Sequence, residues 1–321
     1  MSHNCVIILN PALGPLRFAE KLPPSVHLFT SDDRAVLEKH LPEADVVVNA
    51  AFGGEPFRSL FPLARNVKWV HSLSAGVENI LSPELIASPV PLTNGRGVFR
   101  ASLAEFVIGA MLFFAKDFRR LLRNQQAGKW EPFDIELLEG KTLGIAGYGG
   151  IGQASAKLAR AFGMRVIAVR RRAALSTGDP SLDAVYAPEQ LEDMLAASDY
   201  VLVAAPNTPE TRGMIGGPEL SFLKPTAVII NVGRGPVIVE TALVQALENK
   251  HIRGAALDVF DHEPLPAGHP FYSLDNVLLS PHAADHTAGW VELAVDFFAE
   301  NFHRFEKGEP LQNIVDKKAG Y

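Results

Sequence analysis

Four charged or titratable residues stand just after short apolar runs in the second half of the chain. Arg234 follows the run in VIINVGRGPVIVE, Asp258 and Glu263 follow the run in AALDVFDHEPLP, and His282 follows the run in NVLLSPHAADHT. A histidine titrates near neutral pH, and a neighbouring carboxylate orients its ring and favours its charged form. In doubly wound sheets the functional residues follow the carboxyl ends of the strands, so this placement predicts one site built from the three motifs.

A glycine-rich turn lies upstream, in the stretch TLGIAGYGGIGQASAKLARAF. Its Gly-x-Gly-x-x-Gly fingerprint consists of Gly147, Tyr148, Gly149, Gly150, Ile151 and Gly152. The first two glycines permit a tight turn and close approach of a pyrophosphate, the third lets a helix pack on a strand, and the free N–H groups at the helix start attract phosphate. The pattern predicts a dinucleotide-binding loop; a glycine-rich turn that binds nothing is the alternative.

Three consecutive arginines, Arg170, Arg171 and Arg172, end the apolar run RVIAV that follows this turn. An acidic residue about 20 residues after the glycines normally binds the ribose 2′-OH of NAD. A guanidinium instead offers paired donors and positive charge to a 2′-phosphate. The triplet therefore predicts a preference for NADP(H), with NAD(H) as a second option, and favours Arg170 and Arg171 over Arg172 as the phosphate readers. The alternative is a solvated surface turn.

The elements that must position these residues alternate between short β-branched runs and helical patterns, which predicts parallel sheets covered by helices. We expect an α/β protein of two doubly wound domains, a flavodoxin-like substrate domain and a Rossmann nucleotide-binding domain. Strands are predicted at Val6–Leu9, Val26–Phe29, Val46–Asn49, Val67–His71, Pro91–Thr93, Leu143–Ala146, Val166–Val169, Tyr200–Ala204, Ala227–Asn231, Gly254–Leu257 and Val277–Leu279.

Domain boundaries follow from this alternation. We predict that residues 1–98 and 288–321 form the substrate-binding domain and that residues 99–287 form the dinucleotide-binding domain inserted between them. A single long helix is predicted from Ser102 to Gln126, near the start of the insertion. Its first half is apolar nearly all round, so we expect it to be buried on more than one side, to bridge the domains and to be able to pack against another subunit.

Bulk properties limit the class of function. The chain has 321 residues, of which 47% are hydrophobic and 21% charged, and its formal net charge of -6 argues against a general nucleic-acid binder. The single cysteine, Cys5, excludes an internal disulfide and fits a reducing compartment. Neither a signal peptide nor an apolar run of the ~20 residues that span a membrane is evident. We therefore expect a cytoplasmic protein that acts on a small molecule, without nucleic-acid, membrane or metal partners.

The glycine fingerprint and the three motifs occur in one order, together with SAGVENI in the first half and NIVD near the end. This combination resembles the D-isomer-specific 2-hydroxyacid dehydrogenase family, which includes glyoxylate/hydroxypyruvate reductases, D-lactate dehydrogenases and phosphoglycerate dehydrogenases. The resemblance covers most of the chain. It implies an oxidoreductase that reduces a small 2-keto acid, of the glyoxylate or hydroxypyruvate type, to the D-2-hydroxy acid by hydride transfer from NADPH. The apolar bridging helix alone suggests a homodimer.

The resemblance also implies a role for each motif residue. Arg234 would bind the substrate carboxylate and polarise the keto oxygen, His282 would protonate that oxygen, and Glu263 would hydrogen-bond the imidazole and raise its pKa. The backbone of a loop made of Ser74, Ala75, Gly76 and Val77 would grip the carboxylate. Besides the glycine loop and the arginines, the implied cofactor-binding residues are Ala205, Pro206, Thr208, Val232, Gly233, Asp258 and His282, with Asp258 on the nicotinamide carboxamide.

Alternatives to the residue roles stay open. His286 competes with His282 as the acid, and Asp258 or Asp261 competes with Glu263 as the imidazole partner. Arg234 could instead form a structural ion pair, and the Ser74–Val77 loop could be an ordinary strand-to-helix turn.

Trp130 resembles a tryptophan that in some family members reaches into a partner subunit's pocket, but a plain interface or core position explains it equally well.

Other functions of the protein also stay open. They are an NAD-dependent dehydrogenase of another D-2-hydroxy acid, lactate- or phosphoglycerate-type, and a dinucleotide-sensing co-repressor. A feedback-regulated phosphoglycerate dehydrogenase is disfavoured because no appended domain follows residue 321.

Overall fold

The computed structural model describes residues 3–13, 16–51 and 54–321. Met1 and Ser2, the first residues of the predicted substrate-binding domain, lie outside these ranges. The chain divides into two compact units, one of residues 1–99 with 287–321 and one of residues 100–286. Which unit binds substrate and which binds the dinucleotide stays a prediction.

The first unit contains a parallel sheet whose described strands run in the order β2-β1-β3-β4-β5, which is the order of flavodoxin-like sheets. The strands are β1 (His3–Leu9), β2 (Val26–Ser31), β3 (Val46–Ala50), β4 (Trp69–Ser72) and β5 (Leu92–Asn94). The helices are α1 (Phe18–Lys21), α2 (Arg34–His40), α3 (Glu55–Leu60), α4 (Pro83–Ala87) and α11 (Trp290–Lys307).

Burial on both faces explains why strand β3 reads as a continuous apolar run. Val46, Val47 and Val48 are fully buried, as expected for a central parallel strand covered by helices. Helix α11 packs an aromatic stripe against the neighbouring strand: the rings of Phe298 and Phe302 lie 5.3 and 6.2 Å from that of Trp69. The C-terminal helix is thereby fixed to the sheet of the N-terminal residues.

The second unit contains a parallel sheet whose strands run in the order β12-β11-β10-β9-β6-β7-β8. The strands are β6 (Thr142–Ala146), β7 (Arg165–Val169), β8 (Ala184–Tyr186), β9 (Tyr200–Val203), β10 (Val228–Asn231), β11 (Gly254–Leu257) and β12 (Val277–Leu279). The helices are α5 (Arg100–Ala115), α6 (Phe118–Gln126), α7 (Gly150–Ala161), α8 (Leu191–Ala197), α9 (Gly217–Ser221) and α10 (Glu240–Glu248). The strand order reverses between β6 and β9, which is where such sheets bind ligands.

The prediction of one long helix over Ser102–Gln126 was wrong. Two helices, α5 and α6, occupy this stretch, and Asp117 between them has a left-handed backbone with φ of 47°. The Asp117 carboxylate accepts a hydrogen bond from Arg120 N at 3.2 Å and so caps the second helix. The break separates the buried α5 from α6, which has no buried residue. No helix in the described ranges is long and apolar enough to cross a membrane.

Candidate active site

The closest pair of the predicted functional residues is His282 and Glu263. The turn after β12 carries His282 and the loop after β11 carries Glu263, and His282 Nδ1 lies 2.7 Å from Glu263 Oε2. The other carboxylate oxygen, Oε1, accepts a hydrogen bond from Phe260 N at 2.9 Å. With Nδ1 directed at the carboxylate, Nε2 is the imidazole atom left to act on a ligand.

The electrostatics of this pair favour a charged imidazole. The hydrogen bond to Glu263 raises the pKa of His282, and this effect outweighs the lowering that comes from burial and from the charge of Arg234. Burial alone would raise the pKa of Glu263, but the hydrogen bonds from His282 and Phe260 N leave it below its ordinary value. An ionised carboxylate therefore faces a histidine that holds its proton to a higher pH than usual.

Arg234 joins this pair because the loops after β10 and β11 approach closely. A Cβ on Gly235 would lie 2.0 Å from the Phe260 carbonyl, so only glycine permits the approach. The charge of Arg234 lowers the pKa of both Glu263 and His282, so it belongs to the same electrostatic site. Its guanidinium donates to Gly233 O at 2.7 Å.

Asn231 shapes the turn that presents Arg234, and the sequence reasoning missed it. Its Oδ1 accepts from Gly233 N at 3.0 Å, and its Nδ2 donates to Arg234 O at 3.0 Å. The residue is 1% exposed at the last position of β10. A polar residue that ends an apolar run was the available signal.

Asp258 is 1% exposed and organises the turn that carries His282. One carboxylate oxygen, Oδ1, accepts from Ser280 Oγ at 2.6 Å, Ala283 N at 2.9 Å and Ala284 N at 3.0 Å. His282 itself has a positive φ of 53°, a costly conformation for a non-glycine residue that these bonds help to hold. Asp258 thus has a positioning task here, in addition to the cofactor contact that the family resemblance implies.

The rival residues take other partners. His286 Nε2 lies 3.7 Å from Asp285 Oδ1 in the stretch before α11, and Asp261 Oδ2 lies 3.8 Å from His262 Nε2. The backbone N–H of Asp261 donates to Glu240. The described contacts of His282 favour Glu263 over both aspartates.

The glycine loop joins β6 to α7 at the strand-order reversal. Gly147 has a φ of 100°, and a Cβ there would lie 2.6 Å from Ala205 N, so glycine is required. A Cβ on Gly149 or Gly150 would meet no atom of the described chain within 4 Å. Packing within the protein therefore does not explain these two glycines, whereas close approach of a ligand does. Helix α7 begins here, and its N-cap Gly149 makes no side-chain capping bond.

The arginine triplet lies at the carboxyl end of β7, beside the glycine loop. Arg170 is half-buried and donates from Nη1 to Ser176 Oγ at 2.6 Å, while Arg171 and Arg172 are exposed. The glycine loop meets the same strand end, since Gly147 N donates to Val169 O at 3.1 Å. The bond to Ser176 fixes the direction of the Arg170 guanidinium.

The loop after β9 contributes Ala205, Pro206 and Thr208. Ala205 and Thr208 are buried, and Pro206 is exposed. The Thr208 hydroxyl donates to Glu210 Oε2 at 2.7 Å. Val232 and Gly233, next along the sheet, are buried, and Gly233 contacts this loop so closely that a Cβ would lie 2.8 Å from Ala205 O.

The Ser74–Val77 loop follows β4 in the first unit. Asn94, at the end of β5, donates from Nδ2 to Ala75 O at 2.5 Å, and Gly95 N donates to Ser74 O at 3.0 Å. A Cβ on Gly95 would lie 2.3 Å from Leu73 O, so this approach also needs glycine. Asn94 is a second positioning residue that the sequence reasoning missed.

Trp130 lies in the second unit and is 96% exposed, which excludes a position in the core.

Comparison with known proteins places this arrangement in a family. The chain matches the sequence model of the D-isomer specific 2-hydroxyacid dehydrogenase NAD binding domain over residues 108–284. A glyoxylate reductase of Thermofilum pendens is 35% identical over 263 residues, 79% of this chain and 76% of that protein. An NADPH-dependent glyoxylate/hydroxypyruvate reductase of Sinorhizobium meliloti, solved with NADP and sulfate, is 27% identical with a TM-score of 0.86 and coverage of 100% of both chains. A D-isomer specific 2-hydroxyacid dehydrogenase of Xanthobacter autotrophicus, solved with NADPH and MES, is 30% identical with a TM-score of 0.83 and coverage of 100% of both chains.

The doubly wound sheet of the second unit and the site at its carboxyl end are those of a dinucleotide-dependent oxidoreductase. The chain belongs to the D-isomer specific 2-hydroxyacid dehydrogenase family. It is an NAD(P)-dependent 2-hydroxyacid dehydrogenase or reductase, which confirms the family, fold class and class of cofactor predicted from the sequence. The open glycine positions and the uncapped start of α7 fit the pyrophosphate of such a cofactor.

Proposed function

We propose that this enzyme reduces a small 2-keto acid of the glyoxylate or hydroxypyruvate type to the D-2-hydroxy acid, with NADPH as the hydride donor. The cofactor choice rests on the position of Arg170. This arginine lies at the end of β7, where NAD-dependent enzymes place an acidic residue, and Ser176 holds its guanidinium. The first carboxylate after it in the chain is Asp179, whose oxygens are occupied by Tyr148 and Ser181. The glyoxylate reductase of Thermofilum pendens and the Sinorhizobium meliloti reductase support the substrate type by their names.

In this proposal the residues of the site divide the work on the keto acid. A bound reduced nicotinamide supplies the hydride. Arg234 binds the substrate carboxylate and polarises the keto oxygen, because a guanidinium offers planar paired donors. His282 donates its Nε2 proton to that oxygen as the carbonyl becomes an alcohol, and Glu263 keeps the imidazole charged and oriented through Nδ1. The Ser74–Val77 loop offers further backbone donors to the carboxylate.

The proposed cofactor contacts lie in the second unit. Backbone N–H groups of the Gly147–Gly152 loop bind the pyrophosphate, the arginine triplet binds the 2′-phosphate, and Asp258 binds the carboxamide. The remaining contacts come from Ala205, Pro206, Thr208, Val232 and Gly233.

We further propose that the enzyme is a cytoplasmic homodimer, with α6 and the segment that follows it, residues 127–141, at the interface. Exposed apolar side chains support this: Leu122 is 55% exposed, Leu137 is 62% exposed and Trp130 is 96% exposed. Sedimentation equilibrium of the wild-type chain and of Trp130→Ala tests the dimer and whether this residue contributes to it. The single buried cysteine fits the reducing cytoplasm.

A kinetic screen of keto acids with both cofactors tests the proposal. We expect turnover of glyoxylate and hydroxypyruvate, a kcat/KM for NADPH well above that for NADH, and a D-configured product from hydroxypyruvate. Equal efficiency with NADH would reject the cofactor choice and favour an NAD-dependent dehydrogenase. Nucleotide binding without turnover of any keto acid would favour a sensing role instead.

A further inference from the structure

Tyr148 stands at the second position of the glycine fingerprint, where dinucleotide binding uses backbone N–H groups and no phenol. The side chain is 2% exposed, and its hydroxyl donates to Asp179 Oδ2 at 2.9 Å. Burial and, after it, the hydrogen bond to Asp179 raise the pKa of Tyr148 well above its usual range, so the hydroxyl keeps its proton. The reaction itself does not explain this buried, directed hydrogen bond.

Asp179 belongs to the connecting segment, which we define as residues 171–183 between β7 and β8. The segment folds in successive tight turns, in which Thr177 N, Asp179 N and Leu182 N donate to backbone carbonyls three residues earlier. The second carboxylate oxygen of Asp179 accepts from Ser181 N at 2.9 Å. Both oxygens are therefore fixed, and the bond from Tyr148 ties the segment to the glycine loop.

The same segment orients Arg170. The Arg170 backbone N–H donates to Tyr186 O at 3.2 Å, but its guanidinium is held by Ser176 Oγ, at the end of the short 3-10 turn Ala173–Ser176. Ser176 is 6% exposed, so its hydroxyl has a defined direction. The positive charge of Arg170 also lowers the pKa of the Tyr148 hydroxyl, against the larger raising effect of burial.

We propose that Tyr148 is a positioning residue for recognition of the 2′-phosphate. Its hydroxyl fixes the connecting segment against the glycine loop, and the segment, through Ser176, holds the Arg170 guanidinium ready for the phosphate. The glycine loop and the arginine are thereby aligned before the dinucleotide binds, which reduces the ordering cost of binding. This inference rests on the proposed use of NADPH.

The consequence is specific to the phosphorylated cofactor. NADH lacks the 2′-phosphate and gains nothing from an oriented Arg170, whereas both cofactors use the glycine-loop N–H groups. Removing the hydroxyl while keeping the ring should therefore change the ratio of the two specificity constants. A general packing role for Tyr148 would change both constants alike.

The test measures kcat/KM for NADPH and for NADH at a saturating keto acid in four proteins and one control variant. They are the wild type, Tyr148→Phe, Ser176→Ala and the double variant. Tyr200→Phe is the matched control, since the buried Tyr200 hydroxyl at the opposite end of the strands has no hydrogen-bond partner among the described residues. We expect the NADPH:NADH ratio to fall about five- to tenfold in each single variant, the value of one hydrogen bond, and to stay unchanged in the control. The double variant should fall little further, because both changes act through Arg170.

A ratio that stays at the wild-type value in Tyr148→Phe overturns the inference, as does a fully additive double variant. If Tyr148→Phe does not fold, Ser176→Ala still decides whether the segment orients Arg170. The same experiment measures the NADPH:NADH ratio of kcat/KM for the wild type. A wild type without preference for NADPH would reject the proposed cofactor, whereas a preference that neither variant reduces would reject only the role of Tyr148.

Discussion

Replacing Glu263 by Gln removes the charge that holds the proton on His282 while keeping the side-chain shape. The partner atoms are 2.7 Å apart, and the two side chains are 44% and 35% exposed, so solvent screens part of their interaction. A hydrogen bond between charged groups contributes about 1.5–3 kcal/mol, and the exposure reduces this to roughly 1 kcal/mol. We therefore expect the pKa of His282 to fall in Glu263→Gln, because the carboxylate that raises it is gone.

The sign of the effect follows from the reaction direction. Keto-acid reduction needs protonated His282, so activity is lost as pH rises through the pKa of this residue, which Glu263 raises above the ordinary value. The variant should lose activity at a lower pH, with the alkaline limb of its profile displaced toward acid. At a pH below the pKa of His282 in both proteins, the activities of wild type and variant should differ less, because the imidazole is charged in each.

The assay is the pH dependence of kcat/KM for reduction, followed by nicotinamide absorbance from about pH 5.5 to about pH 9. Glu306→Gln is a matched control, because Glu306 lies 3.7 Å from His303 on α11 and neither residue has a proposed role in the reaction. Its profile should match that of the wild type. An alkaline limb that keeps its position in Glu263→Gln, with activity reduced equally at every pH, would refute the electrostatic role and leave Glu263 as an orienting group only.

Three further variants test other parts of the account. Arg170→Asp should raise the KM for NADPH about a hundredfold and that for NADH far less, whereas equal losses would mean that the residue supports the fold. Gly235→Ala should lower the Tm by roughly 5–10 °C, because its Cβ would overlap the Phe260 carbonyl at 2.0 Å, while Gly109→Ala on α5, where a Cβ meets no described atom within 4 Å, should not destabilise the protein. Asn94→Ala should raise the KM for the keto acid about fivefold by freeing the Ser74–Val77 loop, and a lower Tm with an unchanged KM would make Asn94 purely structural.

The strands of both sheets were predictable because β-branched runs mark buried parallel strands. The structure reproduces Gly254–Leu257 and Val277–Leu279 as predicted and shifts most other ends by a residue or two. Strand β8 (Ala184–Tyr186) escaped prediction, because it is a three-residue edge strand of only partly buried side chains. The break between α5 and α6 escaped it as well, since a left-handed Asp117 leaves the helical pattern of apolar residues intact.

The functional motifs were predictable by type and position, as was the bond between Glu263 and His282, but not the other bonds that orient them. The chain order places Arg234, Glu263 and His282 after neighbouring strands, whereas their approach depends on contacts between loops far apart in sequence. Asn231 illustrates the limit. Its side chain hydrogen-bonds the backbone of Gly233 and of Arg234 in one turn, and nothing in the local sequence pattern distinguishes it from any other polar residue at a strand end.

The most direct test of the central claim compares wild type with His282→Ala in the reduction of glyoxylate and hydroxypyruvate, with NADPH affinity measured separately by fluorescence. We predict that the wild type reduces these acids preferentially with NADPH. The variant should bind NADPH as well as the wild type within a few-fold but lose roughly 10²–10⁴-fold in kcat. A variant that keeps wild-type kcat would contradict the account and transfer the acid role to another group, with His286 the first to be tested.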